Sequence, residues 1–122
     1  MKIAIIGSRI GFSRDFVIDT LEKQKLEFDS DTIISGGAIG IDTYANEFAV
    51  LNLITFEIIR PIKENIGYGI KMNYIFRNIE ILTKADKIIA FWDGKSRGTK
   101  SVIDYAKARN KDIEIIKQEK KQ

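Results

Sequence analysis

The chain has 122 residues, 44% hydrophobic and 30% charged, an ordinary composition for one globular domain with one core, and too short for two domains with a cleft between them. It contains no cysteine and no histidine, which removes disulfides, the usual zinc sites, thiol nucleophiles and imidazole bases; any chemistry falls to carboxylates, hydroxyls or lysines, and no cofactor or metal is expected. Twenty basic against seventeen acidic residues give +3, in part from Lys117, Lys120 and Lys121 near the C-terminus, which permits a nucleic-acid partner without implying one.

In chain order, strand and helix patterns alternate from end to end without linker or repeat, as in a single βα-wound domain over residues 1–117 with a frayed tail at 118–122. Residues 2–6 form a first strand directly, leaving no room for a secretory signal, and no apolar run reaches the roughly 18 residues of a membrane span. A soluble, cytoplasmic protein with no membrane partner is expected. Phe12, Phe16, Val17, Thr20 and Leu21 recur at helical spacing, with Ser13 as N-cap. Residues 32–35 are the second strand, and Ile41, Tyr44, Ala45, Phe48 and Ala49 mark the second helix. A third strand at 55–60 stops at Pro61, the single proline, and a stretch to Gly69 reads as a mobile loop placed like a lid. Met72, Ile75, Phe76, Ile79 and Leu82 form the apolar stripe of a third helix, residues 87–92 the fourth strand, and Val102, Ile103 and Ala106 the fourth helix, which ends at Asn110. Residues 113–116 are the last strand.

The strand runs are apolar without strict alternation, which is how strands covered on both faces of a parallel sheet read. The fold class is therefore α/β: a single Rossmann-like three-layer domain with a mostly parallel five-stranded sheet. Right-handed crossovers favour the order 3-2-1-4-5, with the switch point between strands 1 and 4. Three glycine-bearing turns then share one crevice at the carboxyl ends of the strands.

The first turn, Gly7-Ser8-Arg9, lacks dinucleotide-fingerprint spacing, and strand 2 ends in Ser35-Gly36 where that fingerprint wants an acid, so ordinary NAD binding is disfavoured. Arg9 is either solvated or reaches a ligand phosphate. The second, Ser35-Gly36-Gly37-Ala38-Ile39-Gly40-Ile41-Asp42, has more glycine than a plain turn needs, which suits backbone passing close to a ligand. Asp42 is either a helix-dipole partner or a reader of ligand hydroxyls. The third, Gly94-Lys95-Ser96-Arg97-Gly98-Thr99, opens a helix whose free N–H groups and Thr99 hydroxyl suit an anion, or form a simple cap. Lys95, Arg97 and Lys100 add positive charge there, and Asp93 opposes it or selects a hydroxyl. Trp92 and Tyr68 are stacking candidates, with rim packing the ordinary role of a strand-end tryptophan. Arg77-Asn78 reads by itself as a pair on a helix surface.

Taken together, these residues resemble the SLOG superfamily, the Rossmann-like group that includes DprA-like, YspA-like and LOG-like proteins. Gly7-Ser8-Arg9 is similar to its first-strand element, the Ser35 to Asp42 segment to the S-G-x-A-x-G-I-D signature, Arg77-Asn78 to an R-N pair before the fourth strand, and Gly94 to Thr99 to a glycine-threonine turn. The resemblance implies that a nucleotide or nucleotide-derived ligand is held by Gly7, Ser8, Arg9, Ser35, Gly36, Gly37, Gly40, Asp42, Arg77, Asn78, Asp93, Gly94, Ser96, Gly98 and Thr99. It also implies two alternatives: single-stranded DNA binding of the DprA kind, and a LOG-like N-glycosidase or transferase. The hydrolases carry a glutamate three positions past the threonine, where this chain has Val102; Glu47 and Glu80 are the remaining carboxylate candidates, and no catalytic residue is assigned. A homodimer is among the assemblies the resemblance implies.

Overall fold

In the computed structural model, residues 1–8, 11–27, 29–37, 40–62 and 69–117 are described. Among them the elements run β1 (Lys2–Gly7), α1 (Arg14–Glu22), β2 (Thr32–Ser35), α2 (Ile41–Leu51), β3 (Thr55–Ile58), α3 (Ile70–Lys84), β4 (Lys87–Phe91), α4 (Arg97–Ala108) and β5 (Asp112–Ile116). The strands form one five-stranded sheet in the order β3-β2-β1-β4-β5, and every pairing is parallel. The alternation and the strand order are those expected, because a parallel pair needs a crossover and crossovers of one hand fix which side each new strand joins.

Successive strand residues point to opposite faces, and two cores result. Ile3, Ile5, Ile33, Ile89 and Phe91 meet Val17 and Leu21 of α1 and Ala45, Phe48 and Ala49 of α2 on one face. Ala4, Ile34 and Ile88 meet Ile81 and Leu82 of α3 and Val102 and Ala106 of α4 on the other. Phe12, Phe16 and Phe91 pack edge to face or tilted, with Phe12 and Phe91 centroids 5.6 Å apart. Ser13 caps α1 by accepting the Phe16 N–H at 3.1 Å. No helix among the described residues is long and apolar enough to cross a membrane.

The inward face of α3 differs from the expected stripe. Ile75 and Phe76 are exposed at 41% and 43%, whereas Asn73, Ile81 and Leu82 are buried. The inner face is instead Asn73, Arg77 and Ile81 with Asn78 and Leu82 beside them: polar where the helix borders the strand ends, apolar where it covers the sheet. Asn73 fits there because its amide donates to the Ile62 carbonyl at 2.8 Å. Reading apolar periodicity alone cannot find a face whose leading half is polar by design of the site.

Candidate functional site

β1 ends level with β4, Gly7 opposite Phe91, and β2 ends level with β3, Ser35 opposite Ile58. The following turns therefore open on one side of the sheet, around a cavity of about 560 Å³, within the range that holds a small organic ligand. Its floor is Ile5, Ile6 and Gly7 of β1 with Gly36 and Gly37 after β2; α4 contributes Ser96, Gly98, Thr99 and Val102. The opposite wall is Tyr74, Arg77, Asn78 and Ile81 of α3 with Arg60 and Pro61 after β3, and Asp42 enters from α2. A smaller hollow of about 100 Å³ adjoins it, sharing Arg60, Pro61 and Arg77.

Of the expected site residues, the structure brings Gly7, Gly36, Gly37, Asp42, Arg77, Asn78, Ser96, Gly98 and Thr99 to this cavity. Arg9, with Ala38, Ile39, Tyr68, the segment 63–68 and the tail 118–122, lies outside the described residues. Ser8, Ser35, Gly40, Asp93 and Gly94 do not line the cavity; they build its edges. Ser8 is buried, donates its N–H to the Phe91 carbonyl at 2.9 Å and accepts the Asp93 N–H on Oγ at 3.3 Å, stitching the first turn to the third. Ser35 Oγ, fully buried, accepts the Gly37 N–H at 3.2 Å and shapes the second turn. Gly40 and Gly94 adopt φ of 93° and 83°, where a side chain would be strained.

The second turn's glycines also have a packing role inside the protein. They line the cavity floor and they also seat two guanidinium groups. A Cβ on Gly36 would stand 2.8 Å from Arg77 Cζ, and one on Gly37 would stand 3.0 Å from Arg60 Nη1. Arg77 donates from Nη1 to the Gly36 carbonyl at 2.9 Å and from Nε to Asn78 Oδ1 at 2.8 Å, and packs over the Tyr74 ring at 5.5 Å. The Arg-Asn pair is thus a cation held in place by its neighbour, rather than a surface pair. Burial lowers the Arg77 pKa, partly offset by the charge of Asp42. Arg60 was not among the expected site residues. Its signal was present: a charged residue just past the carboxyl end of a parallel strand, where such sheets keep their ligands.

α4 opens on a built turn. Asp93 Oδ1 accepts the N–H groups of Lys95 at 2.8 Å and Ser96 at 2.7 Å. Those hydrogen bonds, that from Ser96 foremost, hold the Asp93 carboxyl below its ordinary range. Asp93 therefore spends an oxygen on the turn rather than facing the cavity. Trp92 Nε1 donates to the Ser96 carbonyl at 3.0 Å and its ring lies under Lys117, so it is a rim brace. Ser96 Oγ accepts the Thr99 N–H at 3.4 Å. Helix geometry leaves the Arg97 and Gly98 N–H groups without an intrahelical acceptor, and a Cβ on Gly98 would meet nothing within 4 Å. Lys100 is answered by Asp104 at 2.7 Å, and Lys95 and Arg97 are exposed outside the cavity lining.

Among the described lining residues the charges are Arg60, Arg77 and Asp42, a net positive cavity with one carboxylate. Val102 presents an apolar wall to the cavity. Glu47 is held by Arg14 between α1 and α2, and Glu80 faces the smaller hollow, 3.8 Å from Lys84.

No protein-family model and no curated protein sequence matches the chain. Two solved structures share its fold. DNA processing protein A from Helicobacter pylori, described for its unique single-stranded DNA binding mode, superposes with a TM-score of 0.73 at 22% identity, over 98% of this chain and 66% of that one. TM1055, a structural-genomics target, superposes with a TM-score of 0.68 at 21% identity, over 92% of this chain and 71% of that one. At these identities the likeness establishes the three-layer α/β fold; the chain spans 66% of the length of DNA processing protein A.

Proposed function

We propose that this chain is a SLOG-type domain that binds a nucleotide or nucleotide-derived ligand in the cavity formed by the three turns. The observation that carries the reading is the convergence of separate turns on one net-positive cavity with free helix N–H groups at one end and two guanidinium groups at the other. A phosphate placed against Gly98 meets its backbone N–H with no side chain in the way, beside the Thr99 hydroxyl. Asp42, acceptor-only when ionised, suits hydroxyl or amino groups of the remainder of the ligand. Binding rather than turnover is favoured by Val102 and by the outward pairing of Glu47.

A second reading, single-stranded DNA binding, draws on the likeness to DNA processing protein A; the same turns would then hold a strand's phosphates, with steep salt dependence. Calorimetric titration with the nucleoside 5′-monophosphates and diphosphates tests the first reading. We expect at least one to bind, and Gly98→Val to weaken it about tenfold or more, about 1.4 kcal/mol, with the fold retained. Binding of none of them by the wild-type protein, or unchanged binding by Gly98→Val, overturns it.

A further inference from the structure

The sheet has two edges, and they are built differently. β5 is bracketed by Lys111 and Lys117 and carries Asp112 and Glu114, charges that discourage another strand from joining. β3 has one charged residue, Glu57, and that side chain is turned onto α3, where it accepts from Lys84 Nζ at 3.1 Å. Neither lysine nor proline stands within β3. No strand among the described residues pairs with its outer side.

The hydrogen bonds already made show which backbone groups lie open. Ile59 donates its N–H inward to the Ser35 carbonyl at 2.8 Å, and Ile54 donates to the Ala49 carbonyl at 2.8 Å. Strand N–H and C=O groups alternate sides, so those of Phe56 and Ile58 point outward from the edge. Apolar side chains stand at both ends of it. Leu53, 76% exposed, has φ of 56°, the left-handed position after a helix where glycine is usual. Ile58 is 38% exposed and Ile62 55%. On α2 the exposed residues Thr43, Asn46, Val50 and Leu51 carry no charge.

An edge whose two ends match suits a copy of itself. A two-fold axis through Phe56, perpendicular to the sheet, reverses the strand and keeps each face on its own side. Phe56 then exchanges both backbone bonds with Phe56 of the second copy, and each Ile58 N–H donates to the Ile54 carbonyl across the axis. The Phe56 ring, packed against the core under α1 and α2, meets its counterpart and continues that core into the second copy. On the other face Thr55 lies opposite Glu57, hydroxyl against carboxylate. Moving the axis by one residue would set Glu57 against itself or against Leu53, so the sequence favours the Phe56 centre.

We infer that β3 is the contact edge of a homodimer, in which two copies pair antiparallel about Phe56 and join their five-stranded sheets into one. The axis sends the two cavities to opposite ends of the joined sheet, so the inference stands apart from the nucleotide reading.

Sedimentation velocity from low micromolar to millimolar concentration, with amide hydrogen exchange followed by NMR, tests it on wild type and Ile58→Lys. Wild type moves from the mass of one chain to that of two as concentration rises. The Phe56 and Ile58 amides gain protection in step, whereas the Ile59 amide is protected throughout. Ile58→Lys puts a charge on the open edge and raises the concentration needed for pairing about tenfold or more. Wild type that stays monomeric at millimolar concentration overturns the inference. So does a dimer whose Phe56 and Ile58 amides gain no protection, or one that a folded Ile58→Lys leaves unchanged. Should Ile58→Lys fail to fold, the wild-type exchange pattern decides alone.

Discussion

The openings of α2 and α4 both follow glycine turns at the carboxyl ends of strands, yet the two are finished differently. α2 starts at Gly40 without a side-chain cap, and Asp42 in its first turn supplies negative charge from the chain itself. α4 has a serine cap and no acid in its first turn. The glycines divide the same way. A Cβ on Gly7 would stand 2.8 Å from Ile41 Cγ1 and 3.0 Å from the Phe91 carbonyl, so that glycine lets α2 pack against β1 and β4. Gly98 has open space around it. Glycine at one opening serves packing, and at the other it borders open space.

The sharpest way to break this contrast is Gly7→Ala. Overpacking against backbone and a helix start that cannot withdraw costs about 2–3 kcal/mol, lowering the melting temperature by roughly 10 °C; a change near zero would show that Gly7 is not a packing residue. Gly98→Ala carries the opposite sign. It exchanges the second poorest helix former for the best without a clash, so stability rises by about 0.5 kcal/mol while ligand affinity falls. A loss of stability in thermal unfolding would place Gly98 with Gly7. The smallest effect belongs to Asp93. Its folded carboxyl pKa is depressed, so its stabilisation of the α4 opening is present above the ordinary aspartate value of about 3.9 and is lost as pH falls through the lower, folded value. The Lys95 and Ser96 amide resonances should move with that titration, and Asp93→Asn should abolish the movement.

Strand order, the Ser13 cap and the meeting of the glycine turns were legible in the sequence because each follows from local chemistry plus one handedness rule. The inward face of α3 was not. Tyr74, Ile75 and Phe76 run consecutively and blur the helical period, and the residues that do face inward near the strand ends, Asn73 and Arg77, are polar because they answer the Ile62 and Gly36 carbonyls. Arg60 escaped notice because its position over Gly37 joins two turns distant in sequence. The internal bonds of Ser8, Ser35 and Asp93 were hidden for a related reason: a hydroxyl or carboxylate at a turn looks the same in sequence whether or not it accepts from a neighbouring N–H.

Arg77 is fastened to a backbone carbonyl, an acceptor that every residue carries whatever its side chain, and to the asparagine next to it on the same helix. Replacing Asn78 would therefore remove one of these two ties and leave the other, which the main chain supplies. Within this architecture α3 stays fastened to the strand ends through the backbone of the second turn, whatever residue follows Arg77.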